Sequence, residues 1–160
     1  MLYPQLLGDD FDRLPRALRD FHTRPGGARA SGVADVRHSA GRVARLLGFP
    51  APGERIPAEL QVIAGENEEV WVRRFGTAVR KSVQRREGAL LVETAGPVRV
   101  FFRVWVVENE MRFQSERVRL WIIPLPLRID AYARGAGEGW EFDVQIRRVG
   151  GYRGSMKPVP

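Results

Sequence analysis

The feature that most constrains this chain is the spacing of turn residues from residue 58 onward. Short stretches of alternating apolar and polar residues, at 59–64, 69–75, 77–86, 89–94, 98–107, 111–123, 127–134 and 140–148, are separated by little but turn chemistry. The separators are Gly65-Glu66-Asn67, Gly76, Glu87-Gly88, Gly96-Pro97, Glu108-Asn109 and the glycine-rich 135–139. Such residues fix a turn or adopt positive φ at little cost. A parallel crossover needs roughly a dozen residues or more. Connections this short therefore predict one antiparallel meander over 58–148.

Two of these strands declare their faces. Trp140, Phe142, Val144 and Ile146 alternate with Glu141, Asp143, Gln145 and Arg147, as a half-wet strand does. Val98, Val100, Phe102, Val104 and Val106 alternate with Arg99, Phe101, Arg103, Trp105 and Val107, a second face that mixes aromatics with arginines. In the next strand Met111 and Phe113 share one parity, while Val118, Leu120 and Ile122 share the other. A β-bulge within 114–117 reconciles the two and bends the strand.

Ahead of the meander the period is helical. Phe11, Leu14, Leu18 and Phe21 fall on one helical face, with Pro15 suited to a first turn. Residues 28–37 read as extended. A second, short helix is expected from a Ser39 cap, an apolar stripe of Val43, Leu46 and Leu47, and a stop at Gly48 before Pro50. The fold class is therefore α+β: a strongly curved antiparallel sheet of about seven to nine strands with two N-terminal helices packed on it. The 160 residues make a single domain. It is read as a helix–strand–helix part (1–57), the meander (58–148) and a C-terminal tail (149–160).

Composition narrows function mainly by exclusion. The absence of cysteine removes disulfides and thiolate chemistry. Neither a signal-like start nor a run of ~20 apolar residues is present, so no membrane span and a cytoplasmic location are the default expectations. The net charge of +7 is nearly all arginine, Lys81 and Lys157 being the lysines. High-GC codon usage produces that bias, and the arginines are interleaved with 19 acids, so no specific nucleic acid is expected as a partner.

A set of short pieces carries a family resemblance. They are Leu6-Leu7-Gly8, Leu14-Pro15 with Leu18-Arg19, Leu46-Leu47-Gly48-Phe49-Pro50, and Trp71 with Arg73-Arg74-Phe75-Gly76. Gly96-Pro97, Pro124-Leu125-Pro126, Phe142-Asp143-Val144 and Tyr152-Arg153-Gly154 follow in order. Together they resemble the bacterial family known as domain of unknown function 4166 (DUF4166). The resemblance implies a stand-alone or fused module, some relatives being joined to saccharopine-dehydrogenase-like oxidoreductases. It supplies no catalytic residues and no cofactor.

The residues themselves contain no G-x-S-x-G elbow, no P-loop, no G-x-G-x-x-G after a strand and no H-E-x-x-H, so neither catalytic nor metal-binding residues are assigned. His22 reads as a helix-terminal residue and His38 as a loop residue. Glu116, Asp130, Glu141 and Asp143 stand among arginines, as a ladder of cross-strand ion pairs would. The remaining candidate is a ligand pocket. Trp105 and Trp121 lie on the arginine-bearing parity of adjacent strands, which predicts two indoles facing the inside of the sheet. Arg103 and Arg119 would hold an anionic head group beside them, and Glu116 or a carbonyl would accept an indole N–H. The function expected first is a non-enzymatic binding module for a small apolar or amphipathic ligand. A regulatory domain serving an oxidoreductase partner, and a basic domain on nucleic acid or an anionic membrane surface, are the alternatives.

Overall fold

The computed structural model describes residues 1–39 and 41–160. The strands are β1 (Ala28–His38), β2 (Gly53–Ala64), β3 (Glu68–Phe75), β4 (Ala78–Glu87), β5 (Leu90–Ala95) and β6 (Val98–Val107). They continue as β7 (Glu110–Leu120), β8 (Ile123–Leu125), β9 (Ile129–Ala136), β10 (Gly139–Ile146) and β11 (Gly150–Val159). Every pairing is antiparallel. β6 pairs with β7 at one end of the order and β1 with β11 in its middle, so the sheet closes into a ten-stranded barrel. This corrects the expected open, curved sheet. Closure removes both sheet edges, and with them a row of unpaired backbone groups.

The closure comes from segments that looked least strand-like. The expected tail, 149–160, supplies β11, which pairs with β10 on one side and β1 on the other. At this seam the strands approach closely enough that a Cβ on Gly32 would stand 1.8 Å from the Ser155 carbonyl oxygen. A Cβ on Gly154 would stand 2.0 Å from that of Val33. Glycine is what lets the backbones meet there.

The meander itself follows the turn residues. The expected bulge falls at Glu116, where Phe101 faces Arg117 and Phe102 faces Ser115. The stretch read as one strand over 111–123 is two, because β7 turns at Trp121-Ile122 into β8. β7 then holds β8 over its outer half and β9 over its inner half along the same edge.

The helices also differ from expectation. α1 (Leu2–Leu7) runs into a 3-10 turn at Gly8–Arg13, and α2 (Arg16–Thr23) follows. Phe11 and Leu14 therefore do not share a helix with Leu18 and Phe21. The break is at Leu14, which is extended at φ −67°, ψ 150°, as a residue before proline prefers. All four side chains are nonetheless buried. α1 touches β4 and β6 while α2 touches β1, β9, β10 and β11, so the pair plugs one end of the barrel. The short α3 (Arg42–Leu46) lies between β1 and β2 at the opposite end. Its cap is Gly41 rather than Ser39, and Gly48 at φ 71° ends the segment. Val43 and Leu46 are exposed while Ala44 and Leu47 are buried, so the expected stripe is turned outward in part. Among the described residues, no helix is long and apolar enough to cross a membrane.

Candidate functional site

Part of the inward face of β3, β4 and β5 is polar. Glu69, Trp71 and Arg73 of β3 stand opposite Gln84, Ser82 and Arg80 of β4, and Gln84 in turn faces Glu93 of β5. The opposite wall is apolar, with Ala131 and Ala133 of β9, Trp140, Phe142 and Val144 of β10, and Met156 of β11. Between them lies a cavity of about 160 Å³.

The polar strip is connected as one chain of hydrogen bonds. Arg73 donates to Glu93 Oε1 at 2.8 Å and to Ser82 Oγ at 2.9 Å. Gln84 Nε2 donates to Glu93 Oε2 at 3.1 Å, and Tyr3 of α1 donates its hydroxyl to Gln84 Oε1 at 2.8 Å. The plug is thus fastened to the barrel wall through Tyr3. Burial favours the neutral acid at Glu93, but the Arg73 and Arg80 charges, with hydrogen bonds from Ser82 and Arg73, override it and lower the carboxyl from 4.5 to about 2. The same burial, joined by the negative charges of Glu69 and Glu93, raises the Tyr3 phenol well above 10.0.

A second group lies deeper, under the plug. Trp71 donates its indole N–H to Glu69 Oε2 at 3.0 Å, and the Arg73 guanidinium sits 4.7 Å from the Trp71 ring centroid. His22, at the end of α2, faces inward. Its ring centroid is 3.9 Å from that of Tyr3, and its Nδ1, without a hydrogen-bond partner, stands 3.9 Å from Glu69 Oε2. His22 does stand in the last turn of α2, as expected, and its buried ring also lines the lumen. His38, expected in a loop, is instead the last residue of β1, its Nε2 2.8 Å from the Pro50 carbonyl oxygen.

The arginines differ in how they are matched. Arg73 is neutralised by Glu93 at a side-chain exposure of 15%. Arg80 lines the same cavity, forms no ion pair among the described residues, and donates to the Leu47 carbonyl oxygen at the α3 end of the barrel. Arg80 thus acts on Glu93 through its charge alone, without the direct contact that Arg73 makes. Among the described residues no cluster of three or more His, Asp or Glu suits a metal.

The indole pocket expected from parity is not where these residues lie. Val98, Val100, Phe102, Val104 and Val106 are the inward residues of β6, which puts Arg103 and Trp105 on the outer face. Trp105 pairs with Arg112 near one end of the hairpin, whereas Trp121 donates its backbone N–H to Pro97 at the other. Eight residues of strand, about 25 Å at the usual rise, separate those levels. Trp121 is 71% exposed. Arg103 is held by Glu116 at 2.6 Å on the outside, and Arg119 stands with Arg117 over Phe101. The physical reason is that Phe101 is covered by the guanidinium groups of Arg117 and Arg119, so an aromatic residue on this face needs no interior. The ion-pair ladder is outside as well, as Arg134–Glu141 and Arg128–Asp130.

The inward polar residues escaped sequence reading because Glu69, Arg73, Gln84 and Glu93 look like a solvated face. A signal was present: Trp71 and Phe75 share the parity of Glu69 and Arg73, which marks that face as partly buried. The class defined by these features is an up-and-down antiparallel barrel with a helical plug and a mixed polar and apolar lumen. Neither family models, nor curated proteins, nor solved structures give a match to this chain.

Proposed function

We propose that the barrel is a non-enzymatic binding module for a small amphipathic anion. The observation that carries this is a cavity of about 160 Å³, walled by aromatic and aliphatic side chains, which Arg80 lines without an ion-pair contact to a carboxylate among the described residues. An apolar cavity of about 150 Å³ is known to take benzene. The ligand is then a compact body of that size bearing a carboxylate or similar group, rather than a long acyl chain. Its body occupies the space beside Trp140 and Phe142, and its head meets Arg80 in bidentate fashion. Arg73 stays with Glu93 and keeps the polar wall satisfied.

The test is a titration of the protein with benzoate and phenylacetate, read by heteronuclear NMR shifts of lumen residues, with benzyl alcohol as the neutral comparison and decanoate as the long one. Saturable shifts at Ala131, Ala133 and Met156 are expected for the aromatic acids. Arg80→Gln is expected to weaken them at least about tenfold while leaving benzyl alcohol unchanged, as loss of a charge-assisted bond would. No saturable shift with any of the four compounds would overturn the reading.

A further inference from the structure

At the barrel end opposite the plug, the hairpin between β7 and β8 carries three bare apolar side chains in a row. Trp121 is 71% exposed, Ile122 87% and Ile123 56%. A two-residue turn closed by Leu120 and Ile123 presents them, and Trp121 takes it up at φ 53°. A bulky residue is rarely found there, and glycine or asparagine would turn the chain with less strain. The backbone N–H of Trp121 is bonded to the Pro97 carbonyl at 2.8 Å, so the tip is held in place by the β5–β6 turn.

The strands next to this tip are rich in arginine. The segments 95–100, 117–129 and 144–150, which lie at the same end of the barrel, contain no aspartate or glutamate. Arg99 and Arg119 stand directly opposite each other on β6 and β7, and like charges in that relation repel. Neither forms an ion pair among the described residues, and the same is true of Arg117, Arg147 and Arg148. Arg117 and Arg119 are held by stacking on Phe101 instead. The even mixing of acids and arginines along the whole sequence therefore gives way, beside the tip, to a group of arginines without ion pairs, while the adjoining acids Glu116 and Asp130 are taken by Arg103 and Arg128.

We propose that this end of the barrel docks on an anionic lipid surface, with Trp121, Ile122 and Ile123 entering the headgroup boundary and the arginine collar meeting lipid phosphates. The shape and charge together choose that partner. A convex aliphatic tip gains from hydrocarbon, whereas a nucleic-acid backbone offers two isoleucines nothing. Tryptophan suits the interface because its ring is apolar and its N–H wet. This surface is separate from the lumen, and its test does not depend on any ligand there.

The experiment is co-sedimentation of the full chain with vesicles of phosphatidylcholine mixed with phosphatidylglycerol, against phosphatidylcholine alone. Binding to the anionic vesicles, weakened by salt, is expected. Trp121→Ser with Ile122→Ser, at exposed positions that leave the barrel intact by circular dichroism, is expected to lower partitioning at least about tenfold. Arg99→Gln and Arg119→Gln are each expected to lower it about fivefold on anionic vesicles. Acyl-brominated lipid should quench fluorescence in the wild type and less in Trp121→Phe. Failure to bind anionic vesicles overturns the proposal, as does equal binding by the serine variant. So does duplex DNA binding that survives the serine substitutions while vesicles are ignored, or self-association abolished by them without any vesicle binding.

Discussion

Arg73 donates to Glu93 at 2.8 Å across adjacent positions of the barrel lumen, and the two side chains are 15% and 13% exposed. The pair joins β3 to β5 over the intervening β4, with Ser82 and Gln84 taking the remaining hydrogen bonds. A buried pair of this kind contributes little net stability compared with apolar residues, but removing one partner strands a charge.

Glu93→Gln should therefore destabilise the fold by about 3–5 kcal/mol at neutral pH, the cost of leaving a buried guanidinium unmatched. The Glu93 carboxyl is depressed from 4.5 to about 2, so its contribution is fully present above about pH 4.5 and is lost as pH falls toward 2. The gap between wild type and Glu93→Gln should close over that window. Urea unfolding at a series of pH values measures it, and a gap that stays constant to pH 2 would contradict the assignment.

Closure of the barrel leads to a second expectation. A Cβ at Gly154 would meet the Val33 carbonyl oxygen at 2.0 Å and the tip of Phe142 at 2.9 Å. The first obstacle is backbone, so it cannot be relieved by a rotamer change. Gly154→Ala should cost at least about 2 kcal/mol, at the upper part of what overpacking costs, by prising β1 from β11. Thermal unfolding should show it, together with faster amide exchange at Val33 and Ala34 beside the seam.

The meander was legible because its information is local: Glu87-Gly88 and Glu108-Asn109 each stop one strand and start the next. Closure was not, because β1 and β11 meet across most of the chain and carry little alternation. Ala28, Ala30 and Ala34 of β1 are small buried residues, and only Tyr152 and Met156 of β11 bring large side chains to the lumen, where Phe21 and Trp140 pack against each other. Parity identified the two faces of β6 correctly but not which one is inside. Phe101 and Trp105 suggested an interior, and the cover that Arg117 gives Phe101 depends on a cross-strand neighbour that parity does not reveal. The polar lumen was hidden for the converse reason. Glu93 is satisfied by Arg73 and Gln84, which lie twenty and nine residues away on other strands.

Tyr3 gives the last prediction, because it tests whether the plug belongs to the barrel or merely rests on it. Its hydroxyl donates to Gln84 Oε1 at 2.8 Å, with the ring fully buried against His22. Tyr3→Phe keeps the ring and removes the donor, leaving a buried carbonyl oxygen unsatisfied, so it should cost about 1–3 kcal/mol. Adding Gln84→Leu to Tyr3→Phe relieves that oxygen but removes the donor to Glu93, so the two costs should not add; a double-mutant cycle by urea unfolding measures the coupling. The phenol offers an independent readout. Burial, with Glu69 and Glu93 nearby, holds its pKa well above 10.0 in the folded state, so stability is full below pH 10 and is lost as pH rises beyond it. Ultraviolet titration of the wild type minus that of Tyr3→Phe should show this phenol ionising only as the barrel unfolds. A Tyr3 that titrates near pH 10 in the folded protein would mean that α1 lifts from the lumen and that the plug opens without the barrel.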